Sequence, residues 1–149
     1  MAFELDVAQR QTLEAATRRI LPSDDGPGAA EAGVADYIAG ALGHHALAPV
    51  RRQLAAGLDA LGTIAVETHG KTFADCDAEE QDALLGKLQS SPERLHQLLI
   101  NRLVMLSLEG FLCHPAHGGN RDGVGWDYVR HTSLEDHQPL CDHAPGGER

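Results

Sequence analysis

Apolar residues recur at three- and four-residue spacings along almost the whole chain, and alternation of period two is hard to find. A helix returns to the same face every 3.6 residues and a strand every two, so the pattern predicts an all-α fold. Start and stop signals divide that pattern into segments. Asp6 and Gln9 form a capping-box pair, and Leu13, Ala16, Thr17, Ile20 and Leu21 then make one stripe that Pro22 stops. The turn formers from Ser23 to Gly28 end this first helix. Val34, Tyr37, Ile38, Ala41 and Leu42 predict a short second helix, broken at Gly43-His44-His45, where the imidazoles are expected to cap the last carbonyls.

A third helix is expected to open near Pro49 and to run along Val50, Leu54, Leu58, Leu61 and Ala65 as far as Gly70. Asp77 and Glu80 make a second capping box, leading into Leu84, Leu85 and Leu88. Ser91-Pro92-Glu93 supplies an N-cap, a first-turn proline and an early acid for a long fifth helix. Its face reads Leu95, Leu98, Leu99, Arg102, Leu103, Leu106 and Gly110, and it is the expected central helix. From Cys113 to Trp126 the glycines and Pro115 predict a loop with no helix through it. No sustained apolar period follows Asp127. The expected architecture is therefore one compact helical domain of about five helices over residues 1–130, with a Gly-rich C-terminal loop. An extended, partner-associated tail is expected over residues 131–149.

A chain of 149 residues can bury roughly two-thirds of the surface it exposes unfolded, so its stability requires no metal or disulfide. With 22 acidic against 12 basic residues its net charge is -10, which repels phosphate backbones and anionic head groups. Nucleic acid is therefore not an expected partner. Apolar runs such as Ile100–Leu108 are broken by Asn101, Arg102 and Ser107, and none reaches the roughly 20 residues of a membrane span. The N-terminus has neither the basic region nor the apolar stretch of a secretory leader, so the chain as written is expected in the cytoplasm. The odd number of cysteines, Cys76, Cys113 and Cys141, leaves one thiol free or paired to another chain.

The sequence has no phosphate loop, no GxSxG elbow, no HExxH and no pair of CxxC motifs. The glycines between Gly118 and Gly125 do not fall in the order GxGxxG, and no strand precedes them. Cys113, His114 and His117 lie close together, and His131, His137, Cys141 and His143 follow in the tail. A metal protein or a stand-alone enzyme built on Cys113, His114 and His117 is the alternative reading, although no clean second ligand pair is present.

The run Glu109-Gly110-Phe111-Leu112, followed by Pro115-Ala116-His117-Gly118-Gly119-Asn120-Arg121-Asp122-Gly123-Val124-Gly125-Trp126, is more specific. It resembles the C-terminal motif of the gluconate 2-dehydrogenase subunit 3 family, approximately E-G-F-F-x-D-P-x-Y-G-G-N-R-D-x-x-G-W. Leu13 to Pro22, Gly26 to Val34, Gly70-Lys71-Thr72-Phe73 and Gln81 to Leu85 resemble earlier parts of the family in the same order, so the likeness spans about residues 5 to 130. Here His114 stands in place of the family's Asp and His117 in place of its Tyr, and Asp127 to Thr132 departs from the family's ending.

The resemblance implies a non-catalytic small subunit that holds no cofactor. Its implied partner is a larger flavoprotein of the glucose-methanol-choline oxidoreductase type, which carries FAD and oxidises a sugar, sugar acid or related alcohol, often passing electrons to a cytochrome c subunit. The small subunit is implied to bind the large one and to assist its folding or maturation. Many members carry a twin-arginine leader, so a leader removed from this chain would place it in the periplasm. The residues expected to dock the partner are Phe111, Gly118, Gly119, Asn120, Arg121, Asp122 and Trp126. Arg121 is suited to bidentate carboxylate recognition, and Trp126 is the chain's only tryptophan.

Overall fold

In the computed structural model, which describes residues 3–130, Asp6 opens helix α1 (Val7–Ile20). The Asp6 carboxylate accepts from the Gln9 N–H at 2.8 Å, and the Gln9 amide oxygen accepts from the Asp6 N–H at 3.1 Å. Two N–H groups that a helix start leaves unpaired are thereby satisfied. The helix buries Thr12, Leu13, Ala16 and Thr17 and ends ahead of Pro22. A one-turn helix α2 (Ala29–Ala32) follows, then Gly33 at φ 69°, then α3 (Val34–Leu42), which buries Val34, Ile38 and Leu42. The left-handed Gly33 turns the chain sharply enough for α2 and α3 both to meet α6.

Helix α4 (Ala48–His69) starts with Pro49 in its first turn and stops at Gly70, whose φ is 70°. It buries Leu54, Gly57, Leu58, Leu61 and Ala65. Helix α5 (Ala78–Gln89) opens on the Asp77–Glu80 capping box, with both reciprocal bonds at 2.9 Å. Helix α6 (Arg94–Leu112) packs on α1, α2, α3, α4 and α5 and on the last helix α7 (Val124–Val129), so it is the central helix. Leu13, Ile38, Leu58, Leu61, Leu88 and Leu103 close the core around it. Each fully buried aliphatic side chain there contributes about 1.5–3 kcal/mol.

The all-α expectation holds, and no strand occurs among the described residues. Four details differ. Among the described residues seven α-helices replace the expected five or so, because one-turn α2 and six-residue α7 lie below the length at which periodicity can be read. The stretch from Cys113 to Trp126 contains two 3-10 turns, Pro115–His117 and Arg121–Gly123, and its last residues already belong to α7. The N-cap of α6 is Glu93 rather than Ser91; the Ser91 hydroxyl instead accepts from the Glu93 N–H, and its oxygen lies 2.8 Å from His96 Nδ1. At the end of α3 His44 is engaged through its carbonyl, which accepts from Arg51, rather than by an imidazole cap. The expected tail over residues 131–149, with Cys141, His131, His137 and His143, lies outside the described residues.

Candidate functional site

The residues from Glu109 to Trp126 close the C-terminal end of α6. A helix leaves its last carbonyls unpaired, and here they are met one after another. The Asn120 N–H donates to the Gly110 carbonyl at 2.7 Å, and the Asn120 side-chain amide donates to the Cys113 carbonyl at 2.9 Å. The indole N–H of Trp126 donates to the Leu112 carbonyl at 2.7 Å. The amide oxygen of Asn120 accepts from the Gly125 N–H at 2.8 Å, joining the loop to the start of α7. Asn120 is wholly buried and takes φ 44°, a left-handed conformation that asparagine tolerates better than most residues.

Two glycines make this closure possible by close approach. A Cβ on Gly119 would lie 2.2 Å from the Gly110 oxygen, and one on Gly125 would lie 1.9 Å from the Phe111 oxygen. Gly110 itself faces Tyr37, where a Cβ would meet the ring at 2.7 Å. The spacing Gly110, Gly119 and Gly125 therefore records where backbone lies against α6 or a ring lies against its backbone. Burial, and then the neighbouring Glu109 carboxylate, push the Tyr37 phenol strongly upward, so it stays protonated and hydrogen-bonded to Glu109.

Arg121 has a different set of contacts. Its guanidinium pairs with Asp36 on α3 and lies over Gly33, where a Cβ would meet Arg121 Nε at 2.4 Å. Arg10 on α1 pairs with the same carboxylate, so Asp36 is held between two arginines from opposite ends of the chain. Partial burial disfavours its charge, but the hydrogen bonds from Arg10 and Arg121 outweigh that and keep the carboxyl below its ordinary range.

The seven expected docking residues thus separate by position. Phe111, Gly119 and Asn120 are buried, and what they do in the described chain is hold the loop on α6. Gly118, Arg121 and Asp122 are exposed and Trp126 is half-buried, and these form the outer side of the loop. The structure adds three residues that the sequence does not tie to this loop: Asp36, Gly33 and Tyr37, from α3 and its approach. No local signal links them to the loop, because Asp36 and Arg121 lie 85 residues apart.

The Cys113, His114 and His117 cluster is not gathered as a ligand set. The Cys113 thiol faces the Gly110 carbonyl at 3.7 Å, His114 Nδ1 accepts from the Ala116 N–H, and the His114 ring stands edge-on to Trp126 at 5.5 Å. Among the described residues no three His, Cys, Asp or Glu form a group able to hold a metal ion. Cys76 and Cys113 are free thiols, and burial pushes both upward, away from the reactive thiolate. Nor does the Gly118–Gly125 segment make a phosphate cradle, since it sits at the negative, C-terminal end of α6. A groove of about 590 Å³ opens elsewhere, between α1, α4 and the turn at Phe73, with Asp59 and Glu67 on its rim. No helix of the described residues is long and apolar enough to cross a membrane.

No curated protein and no solved structure matches the chain. The family model of gluconate 2-dehydrogenase subunit 3 matches residues 7–131, nearly the whole of the described domain and all of the loop that closes α6. The chain therefore belongs to the gluconate 2-dehydrogenase subunit 3 family, whose name marks it as a subunit of a dehydrogenase complex.

Proposed function

We propose that the chain is the non-catalytic small subunit of an FAD-dependent dehydrogenase for a sugar, sugar acid or related alcohol. In this reading it binds a larger flavoprotein of the glucose-methanol-choline type and stabilises or matures it, and the FAD resides in that partner. A cytochrome c subunit is a further member where electrons leave by that route. The observation that carries the reading is the family match over residues 7–131. The loop geometry supports it: Asn120 and Trp126 direct their polar groups to α6 carbonyls, which suits a rigid platform better than a reaction centre.

The reading is tested by expressing the full chain alone and together with the large flavoprotein of the adjacent reading frame. The isolated chain is expected to show no flavin absorption and to reduce no dye with glucose, gluconate or a glucoside, whereas the copurified pair shows both. Dye reduction by the isolated chain, or failure of the two to copurify, overturns the reading.

A further inference from the structure

Two of the places where this chain departs from the family pattern meet in the structure. His114 and His117 stand where the pattern has Asp and Tyr; His114 precedes the 3-10 turn Pro115–His117 and His117 ends it. Side chains three residues apart eclipse in such a turn, and the two exposed rings stand edge-on with centroids 6.2 Å apart. The His114 ring also meets Trp126, at 5.5 Å. His114 is the N-cap of the turn: its Nδ1 accepts from the Ala116 N–H at 3.2 Å.

A ring nitrogen that accepts from an N–H carries no proton, so this cap exists only with His114 neutral and its ring proton on Nε2. Protonation places an N–H on both nitrogens and leaves no acceptor for Ala116. Histidine is the side chain whose charge changes between about pH 5 and 8, whereas an Asp in the same place remains an acceptor throughout that range. Protonating His117 as well sets two positive rings side by side, which opposes the turn further.

The other charged or titratable groups around the turn are Glu109 and Cys113 at the end of α6, Arg121 and Asp122 on the next 3-10 turn, and Asp127 and Arg130 at α7, while Tyr128 packs on Phe111. Among the described residues none of them is hydrogen-bonded or ion-paired to either imidazole; Glu109 is engaged by Tyr37 and Arg121 by Asp36. The rest of the loop does not depend on the cap, because Asn120 and Trp126 bond to α6 carbonyls.

We infer that His114 is a proton-sensitive catch on the loop that closes α6: neutral, it caps the Pro115–His117 turn, and protonated, it releases that turn while Asn120 and Trp126 hold the remainder in place. The inference concerns the chain alone and goes beyond the accessory-subunit reading, which stands or falls separately.

The test is nuclear magnetic resonance of the full chain between about pH 8 and about pH 5. The Ala116 amide proton is expected to move upfield, as its hydrogen bond is lost, with the same midpoint as the His114 ring. The amides of His117 and Gly118, which donate to the His114 and Pro115 carbonyls, should lose protection against exchange by about fivefold, as expected for the loss of a cap, while the Asn120 amide keeps its own. Trp126 is the only tryptophan, so its emission should change at that midpoint too. His114→Asp with His117→Tyr keeps an acceptor that does not titrate in this range, and all of these changes should vanish in it, with helix content by circular dichroism unaltered. Equal protection of the His117 and Gly118 amides in both forms of His114, or a release that persists in His114→Asp with His117→Tyr, overturns the inference.

Discussion

Asn120 shows how one buried side chain can substitute for a length of regular structure. Its backbone N–H, side-chain amide and side-chain oxygen each bond to a different backbone group, and its left-handed φ aims all three at once. Replacing it with alanine leaves the Cys113 carbonyl and the Gly125 N–H without partners. Since each buried unsatisfied group costs about 1–3 kcal/mol, Asn120→Ala should destabilise the chain by about 3 kcal/mol, read as a lowered denaturation midpoint. Gly125→Ala should also be strongly destabilising, because the obstacle is backbone of α6 rather than the movable end of a side chain. Arg121→Ala should cost less than about 1 kcal/mol, because the pair is half exposed and Arg10 keeps Asp36 occupied. A large loss with Arg121→Ala would show that its packing over Gly33, not its charge, is the greater contribution.

Between elements, the long α4 carries two interior glycines with opposite meanings. Gly57 is buried where α4 meets α6, and a Cβ there would come within 2.8 Å of Leu99 Cδ1 and 2.9 Å of its Cβ. Gly62 has nothing within 4 Å of the same position. Alanine is favoured over glycine inside a helix by about 0.5–1 kcal/mol, so Gly62→Ala should stabilise by that amount. Gly57→Ala should destabilise despite the same propensity gain, because α4 or Leu99 has to move. Thermal unfolding of the two variants side by side checks the contrast, and equal shifts would mean that the α4–α6 contact is looser than described.

Across the whole molecule, ion pairs tie together parts of the chain that local structure leaves independent. Arg19 on α1 meets Asp82 on α5, and Asp36 joins α1, α3 and the α6-closing loop. The hydrogen bond from Arg19 holds the Asp82 carboxyl below its ordinary value, and the bonds from Arg10 and Arg121, outweighing burial, do the same for Asp36. A carboxyl whose folded value is depressed contributes stability above its unfolded value of about 4, and loses it as pH falls through the lower folded value. The unfolding temperature is therefore expected to fall as the solution is acidified below about pH 4. Asp36→Asn combined with Asp82→Asn should start less stable at neutral pH and lose less on acidification. An unchanged acid profile in that variant would mean that other carboxylates dominate.

What the sequence by itself determined is what depends on neighbours three or four residues away. The Asp6–Gln9 and Asp77–Glu80 boxes, the Pro49 start, the Gly70 stop and the apolar stripes all act within one or two helical turns, so helix placement and family were legible from residue order. Only the tertiary structure decided what the Gly-rich segment is. Gly119 and Gly125 answer to carbonyls on α6, Asn120 finds its Cys113 partner seven residues back, and Arg121 answers to Asp36 across 85 residues. The exposure of Met105, Leu108 and Leu112 on α6 was equally hidden, because residue order marks apolar positions but not which of them packing leaves uncovered. Local order can specify a helix; which of its faces remains open is settled by what the rest of the chain leaves uncovered.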